Sequence, residues 1–139
     1  MSFKPYSSTL LTVCGIILMG MGLYFALIRP ELLPEDFRYM ALSSEPLQAT
    51  APGLFNWLDK VFWVMGGYVF TTGLLTGYVA QTAFRERQRG VLSVVGLAGL
   101  SSIGLMAMIN FLIDSDFKWF LLVFVVLWLT ALGLYLRQK

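Results

Sequence analysis

Residues 61–80 read "VFWVMGGYVFTTGLLTGYVA", twenty positions without a single charge. At 1.5 Å rise per residue such a helix is about 30 Å long, the thickness of a bilayer's hydrocarbon core. Gly73 and Gly77 stand in G-x-x-x-G register, and Gly66 and Ala80 extend the same stripe. Lipid tails are as apolar as leucine, so helices in a membrane associate through close packing, which small residues permit. The stretch therefore predicts a membrane-spanning helix whose Gly66, Gly73 and Gly77 seat a neighbouring helix.

Three further windows share this character: 9–28, 91–113 and 119–136. Every Lys, Arg, Asp and Glu falls outside all four. A charge at mid-bilayer costs about 2.5–3.5 kcal/mol on the insertion scale, so this exclusion has a physical cause. The expected fold is all-α: one domain over 1–139, an integral membrane four-helix bundle with a long outer first loop at 29–60. The first window is longer than a secretory leader's apolar core and lacks a small-residue cleavage pattern, so it reads as a retained helix.

Composition agrees. The chain has 139 residues, 58% hydrophobic and only 13% charged, with a mean hydropathy of +0.73. Soluble domains carry about 25% charged residues. The net charge of +2 is small and dispersed, which argues against nucleic acid. There is no histidine and a single cysteine, Cys14. That removes histidine general-base chemistry, His-ligated metals and intrachain disulfides. No phosphate-binding or dinucleotide motif occurs, and no cofactor or metal is expected.

Basic residues set the orientation. Lys4, Arg85, Arg87, Arg89, Arg137 and Lys139 lie in three short segments, while Arg29, Arg38, Lys60 and Lys118 lie on the opposite side. The positive-inside rule then places both termini and the "FRERQRG" loop, 84–90, in the cytoplasm, and suits a cell (inner) membrane. The five-residue "DSDFK" turn, 114–118, makes the last two spans antiparallel neighbours.

The outer loop begins with "RPELLPEDFRYM", residues 29–40. Pro34 followed by Glu35 and Asp36 is a helix first turn, with two carboxylates at the positive end of the helix dipole. Arg38 is three residues from Glu35 and in reach of it. A short interfacial helix is expected, broken by "SSEP" at 43–46. Pro52 then opens "PGLFNWLDKVFW", 52–63, an interfacial lead-in continuous with the second span, with Trp57 and Trp63 at headgroup level. Seven of the eight acids fall on the outer side. Glu35, Asp36, Arg38, Trp57 and Asp59 form the candidate outer interaction patch.

Thr71 and Thr72 in the second span share a depth with Ser101 and Ser102 in the third. They are a candidate polar cluster at the midplane, although each hydroxyl can instead bond back to its own helix. Few small residues occur in the fourth span, whose Trp, Phe and Leu read as a more lipid-facing helix. The arrangement of inward termini and a larger first outer loop resembles tetraspan proteins such as claudins. Their defining tryptophan with G-L-W and paired cysteines is absent from 29–60, so nothing is carried over.

The sequence thus leads to a small non-enzymatic multi-pass protein: an accessory or scaffold subunit acting through helix packing and its outer loop. The alternative is a binder or carrier of a lipid, quinone or small neutral solute in a weakly polar midplane pocket. Membrane lipid, a membrane protein partner met through the loop or the glycine face, and a second copy of the chain are the partners that fit.

Overall fold

The computed structural model describes residues 6–137. Lys4 and Lys139 lie outside the described residues. The described chain is 82% helical without strands, in six elements. They are α1 (Tyr6–Leu27), α2 (Pro34–Met40), α3 (Ser44–Thr50), α4 (Pro52–Gln81), α5 (Val91–Leu112) and α6 (Lys118–Arg137). Helices α1, α5 and α6 are long and apolar enough to cross a membrane. These are the marks of a membrane protein.

The 61–80 stretch lies within α4, a helix of 30 residues that is not among those three. Four glycines, three threonines and two tyrosines dilute its hydropathy. Pro52 occupies its first turn, where no backbone donor is needed, and the helix runs on unbroken through Trp57 and Lys60. The interfacial lead-in and the apolar stretch are therefore one rod.

Helix α2 starts at Pro34, and the Asp36 carboxylate accepts the backbone N–H of Leu33 at 2.8 Å, satisfying one orphan donor of the first turn. It ends at Ala41, whose φ of 53° is left-handed. The "SSEP" segment is only partly a break. Ser43 is extended, but Ser44 already opens α3, with Pro46 inside the first turn where it is tolerated.

The long helices lie in the order α4, α1, α6, α5. Between α1 and α4, antiparallel small residues seven apart face each other: Ser8 with Ala80, Gly15 with Gly73, Gly22 with Gly66. A Cβ on Gly73 would stand 2.6 Å from the Gly15 carbonyl oxygen, and one on Gly66 2.6 Å from that of Gly22. At the end of this seam the Ser8 hydroxyl donates to the Ala80 carbonyl, and Gln81 Nε2 donates to Thr12 Oγ1 at 2.6 Å. Gly77 departs from the expected stripe. A Cβ there would meet nothing within 4 Å, and it is the Gly77 backbone nitrogen that approaches Gly15, 2.8 Å from a Cβ built there. The repeat that matters is seven residues long, because seven residues bring an α-helix back to the same face after two turns.

Helix α6 corrects a second expectation. It buries Leu121, Phe124, Trp128, Ala131 and Tyr135 and stands between α1 and α5 rather than at the lipid margin. The Trp128 ring lies on Gly99, and its Nε1 donates to the Val95 carbonyl at 3.2 Å. Where small residues were lacking, flat aromatic ones do the packing. Helix α5 contains a π turn at Leu100–Gly104, an extra residue in the ladder that shifts the face presented by all that follows. At the Gln81 end of the molecule, Arg87 donates to the Tyr135 carbonyl at 2.8 Å and lies over its ring at 4.2 Å. Gly90, φ 82°, caps α5 in a backbone region that suits glycine.

Candidate functional site: a half-open apolar chamber

Helices α1 and α5 do not pack on each other along this stretch. Between them is a half-open chamber of about 910 Å³, within the size range of small-molecule sites. Gly20, Met21 and Tyr24 line it from α1, Phe62 and Met65 from α4, Met106 and Ile109 from α5, and Phe120 and Leu121 from α6. The π turn contributes directly, since Ser102 within it and Leu105 just after it both face the space. Gly20 deepens the wall, because a Cβ there would meet nothing within 4 Å.

One end of the chamber is polar, and α2 closes it. Arg29 extends from the end of α1 with its guanidinium 3.8 Å from the Phe62 ring centroid and 5.5 Å from that of Phe25. It donates to the Pro30 carbonyl at 2.9 Å and to Asp36 Oδ2 at 3.1 Å. Its side chain is 9% exposed and that of Asp36 21%. This is a shielded pair on an aromatic floor. Glu35, 3% exposed, turns in the same direction and accepts a hydrogen bond from the Ser115 hydroxyl at 3.1 Å. Ser115 in turn accepts the Phe117 N–H at 3.1 Å. Asn110 completes this end. Its Nδ2 donates to the Met106 carbonyl at 2.9 Å, which leaves Oδ1 as an acceptor.

The structure divides the sequence-predicted outer patch. Glu35 and Asp36 face inward and line the chamber. Arg38 does not pair with Glu35; it reaches Asp116 in the turn before α6, at 2.9 Å on the surface. The hydrogen bond and the charge of Asp116 push the Arg38 pKa up from its ordinary value. Beside them Lys118 bonds Asp114, and that hydrogen bond, with the ammonium charge, holds the Asp114 carboxyl below the usual carboxylate range. Trp57, 62% exposed, and Asp59 belong to α4, where Asp59 pairs with its neighbour Lys60 at 2.7 Å.

The predicted midplane cluster is not assembled. Thr72 donates to the Tyr68 carbonyl at 2.8 Å, Ser101 to Leu97 at 2.8 Å and Ser102 to Ala98 at 2.5 Å, each one turn back on its own helix. Thr71 is exposed on α4. Only Ser102 of the four lines the chamber. The predicted cluster rests on position along each helix, but α4 and α5 flank the α1–α6 pair on opposite sides, and position along a helix says nothing of that lateral order.

Sequence reading also missed Arg29, Ser115 and Gly20. Arg29 sits where a span ends in Arg-Pro, a signal for a side chain at the membrane boundary. Ser115 had no signal of its own, because its partner is 80 residues distant. Among the described residues, no group of three or more Cys, Asp or Glu is placed to hold a metal ion. No protein-family model matches the chain, and no curated protein or solved structure matches it significantly.

Proposed function

We propose that this chain is a non-catalytic membrane protein that binds an amphiphilic small molecule, with the apolar part in the chamber and the polar part toward α2. The observation that carries this reading is the chamber itself. It is large enough for a ligand, lined largely by methionine, aromatic and aliphatic side chains, and its charged groups gather at the α2 end. Methionine and aromatic linings suit flexible apolar ligands, and a few convergent polar groups fix their orientation. In this reading residues 61–80 of α4 are a fourth crossing. Both termini are cytoplasmic, because Arg85, Arg87, Arg89 and Arg137 gather at one end. The α2 end then faces outward from a cell (inner) membrane.

The test is native mass spectrometry of the protein released gently from its own membrane, with a Gly20→Phe variant beside it. A defined small-molecule mass at fixed stoichiometry, lost in the variant while helicity and thermal stability hold, is the expected result. Retention of the same mass by Gly20→Phe places the ligand elsewhere and overturns the reading.

A second reading is that of an accessory subunit. What favours it is the exposed loop side: α3 has no buried residue, and Trp57 near the start of α4 is 62% exposed. A discrete protein at fixed stoichiometry in the same spectra, lost on Trp57→Ala and Asp59→Ala substitution, is what this reading expects.

A further inference from the structure

The chamber's charge balance narrows the ligand. At the α2 end each cation has its own carboxylate: Arg29 with Asp36, Arg38 with Asp116, Lys60 with Asp59, Lys118 with Asp114. Glu35 is different. It is the one carboxylate among the described residues that is buried, and it has a hydroxyl for a partner rather than a cation. The Arg38 guanidinium attracts Glu35 through space but spends its direct contact on Asp116, and a buried carboxylate with no cation touching it is unfavourable. Glu35 also lines the chamber, so a ligand can bring it a cation in direct contact.

We infer that the chamber takes a single-chain amphiphile with a protonated amine head, and that Glu35 is the residue that selects it. This rests on the chamber being a ligand site. The ammonium donates to the Glu35 carboxylate, and Asn110, which lines the same chamber, offers Oδ1 as a further acceptor. An anionic head would meet Glu35 with no unpaired cation to offset it, because Arg29 is already engaged by Asp36 and two backbone carbonyls. The tail does little of the selecting. It leaves lipid for a lining of similar polarity, so its transfer contributes little net free energy. Discrimination therefore falls on the head. A hydrogen bond between charged partners, lost when one is neutralised, corresponds to about a tenfold or greater loss of affinity.

The experiment uses the full chain in zwitterionic nanodiscs and three probes of equal tail: hexadecylamine, hexadecanol and hexadecanoic acid. Occupancy is read by native mass spectrometry for the wild type, Glu35→Gln and Ser115→Ala. The expected order in the wild type is amine over alcohol by about tenfold or more, with the acid weakest. Glu35→Gln brings the amine down to the level of the alcohol. Ser115→Ala, which removes a neutral donor and keeps the carboxylate, retains the amine preference.

Equal binding of amine and acid by the wild type overturns the inference, whatever the variants do. So does an amine preference that survives Glu35→Gln. In both cases saturable alcohol binding that Gly20→Phe abolishes would leave the chamber as a ligand site. If none of the three probes binds saturably, the chamber reading fails together with this inference.

Discussion

Helix α1 has two unlike neighbourhoods. Toward α4 it presents Gly15 and Gly22, and the two backbones come close enough that added Cβ atoms would overlap carbonyl oxygens. Toward α5 it presents Gly20 and Met21 to an open chamber, and helix α6 with its aromatic side chains keeps the walls apart. Gly20 and Gly22 are two residues apart and do opposite things. One removes bulk where two helices touch; the other leaves bulk out of a chamber wall where nothing lies within 4 Å. The α1–α4 pair is therefore the closely packed half of the molecule. The α5–α6 side depends on large rings instead. The first half should break when an atom is added, and the second when atoms are removed.

The largest expected effect lies on the aromatic side. Trp128→Ala removes a ring that is 2% exposed, together with its hydrogen bond to Val95. It should lower stability by about 3–5 kcal/mol, the range for large-to-small core truncation. Unfolding in mixed micelles followed by circular dichroism measures it, and a loss below about 1 kcal/mol would show that α6 does not hold this half. Gly99→Ala sharpens the point. Its Cβ would run into the Trp128 ring, so the two substitutions together should be less damaging than their separate effects added.

On the glycine side, Gly22→Ala and Gly66→Ala should each destabilise by about 1–3 kcal/mol through overpacking. The controls lie on the same rods. Gly67→Ala and Gly77→Ala would place a Cβ where nothing lies within 4 Å, and both should change stability by no more than about 0.5 kcal/mol. Equal effects at Gly66 and Gly67 would remove the distinction between a packed face and an open one. The same assay decides whether the seven-residue spacing or the G-x-x-x-G pair governs the seam, since Gly77 belongs only to the latter.

These contrasts also mark how far the sequence could be read. The helical, lipid-embedded character was legible because exclusion of charge from a bilayer is a strong constraint on every position of a span. The unbroken rod from Pro52 was legible because proline at a first turn and helical apolar spacing act locally. Gly66 and Gly73 were legible as packing residues, yet Gly77 was not separable from them. The four-residue step from Gly73 carries the helix about 40° past a full turn, enough to aim a backbone nitrogen rather than a Cβ at α1. The chamber was out of reach, because it depends on which helices fail to touch. Glu35 was read outward on local grounds, as a first-turn acid within reach of Arg38. Its inward turn depends on Ser115 and the displacement of Arg38 onto Asp116, contacts across more than half the chain. The π turn has no sequence signature of its own, and it sets which α5 residues face the chamber.

The smallest effect belongs to the surface that neither half controls. Lys118 and Asp114 tie the first turn of α6 to the turn before it, where Asp114 adopts a left-handed φ of 54°. The carboxyl's pKa is depressed in the folded state, by the Lys118 hydrogen bond first and its charge second. A depressed carboxylate contributes stability that is present above its unfolded pKa, near 3.9, and is lost as pH falls through the lower folded value. Stability of the wild type should therefore decline slightly more than that of Asp114→Asn between about pH 5 and the folded pKa, and match its slope at neutral pH. The carboxylate is solvent-exposed and screened, so the difference should be small and should shrink further in high salt. It should also leave the chamber untouched: occupancy by any ligand should be the same in Asp114→Asn as in the wild type. A variant that lost the ligand would mean that the turn before α6, through Ser115 and Glu35, controls the polar end of the chamber more tightly than its exposed ion pair suggests.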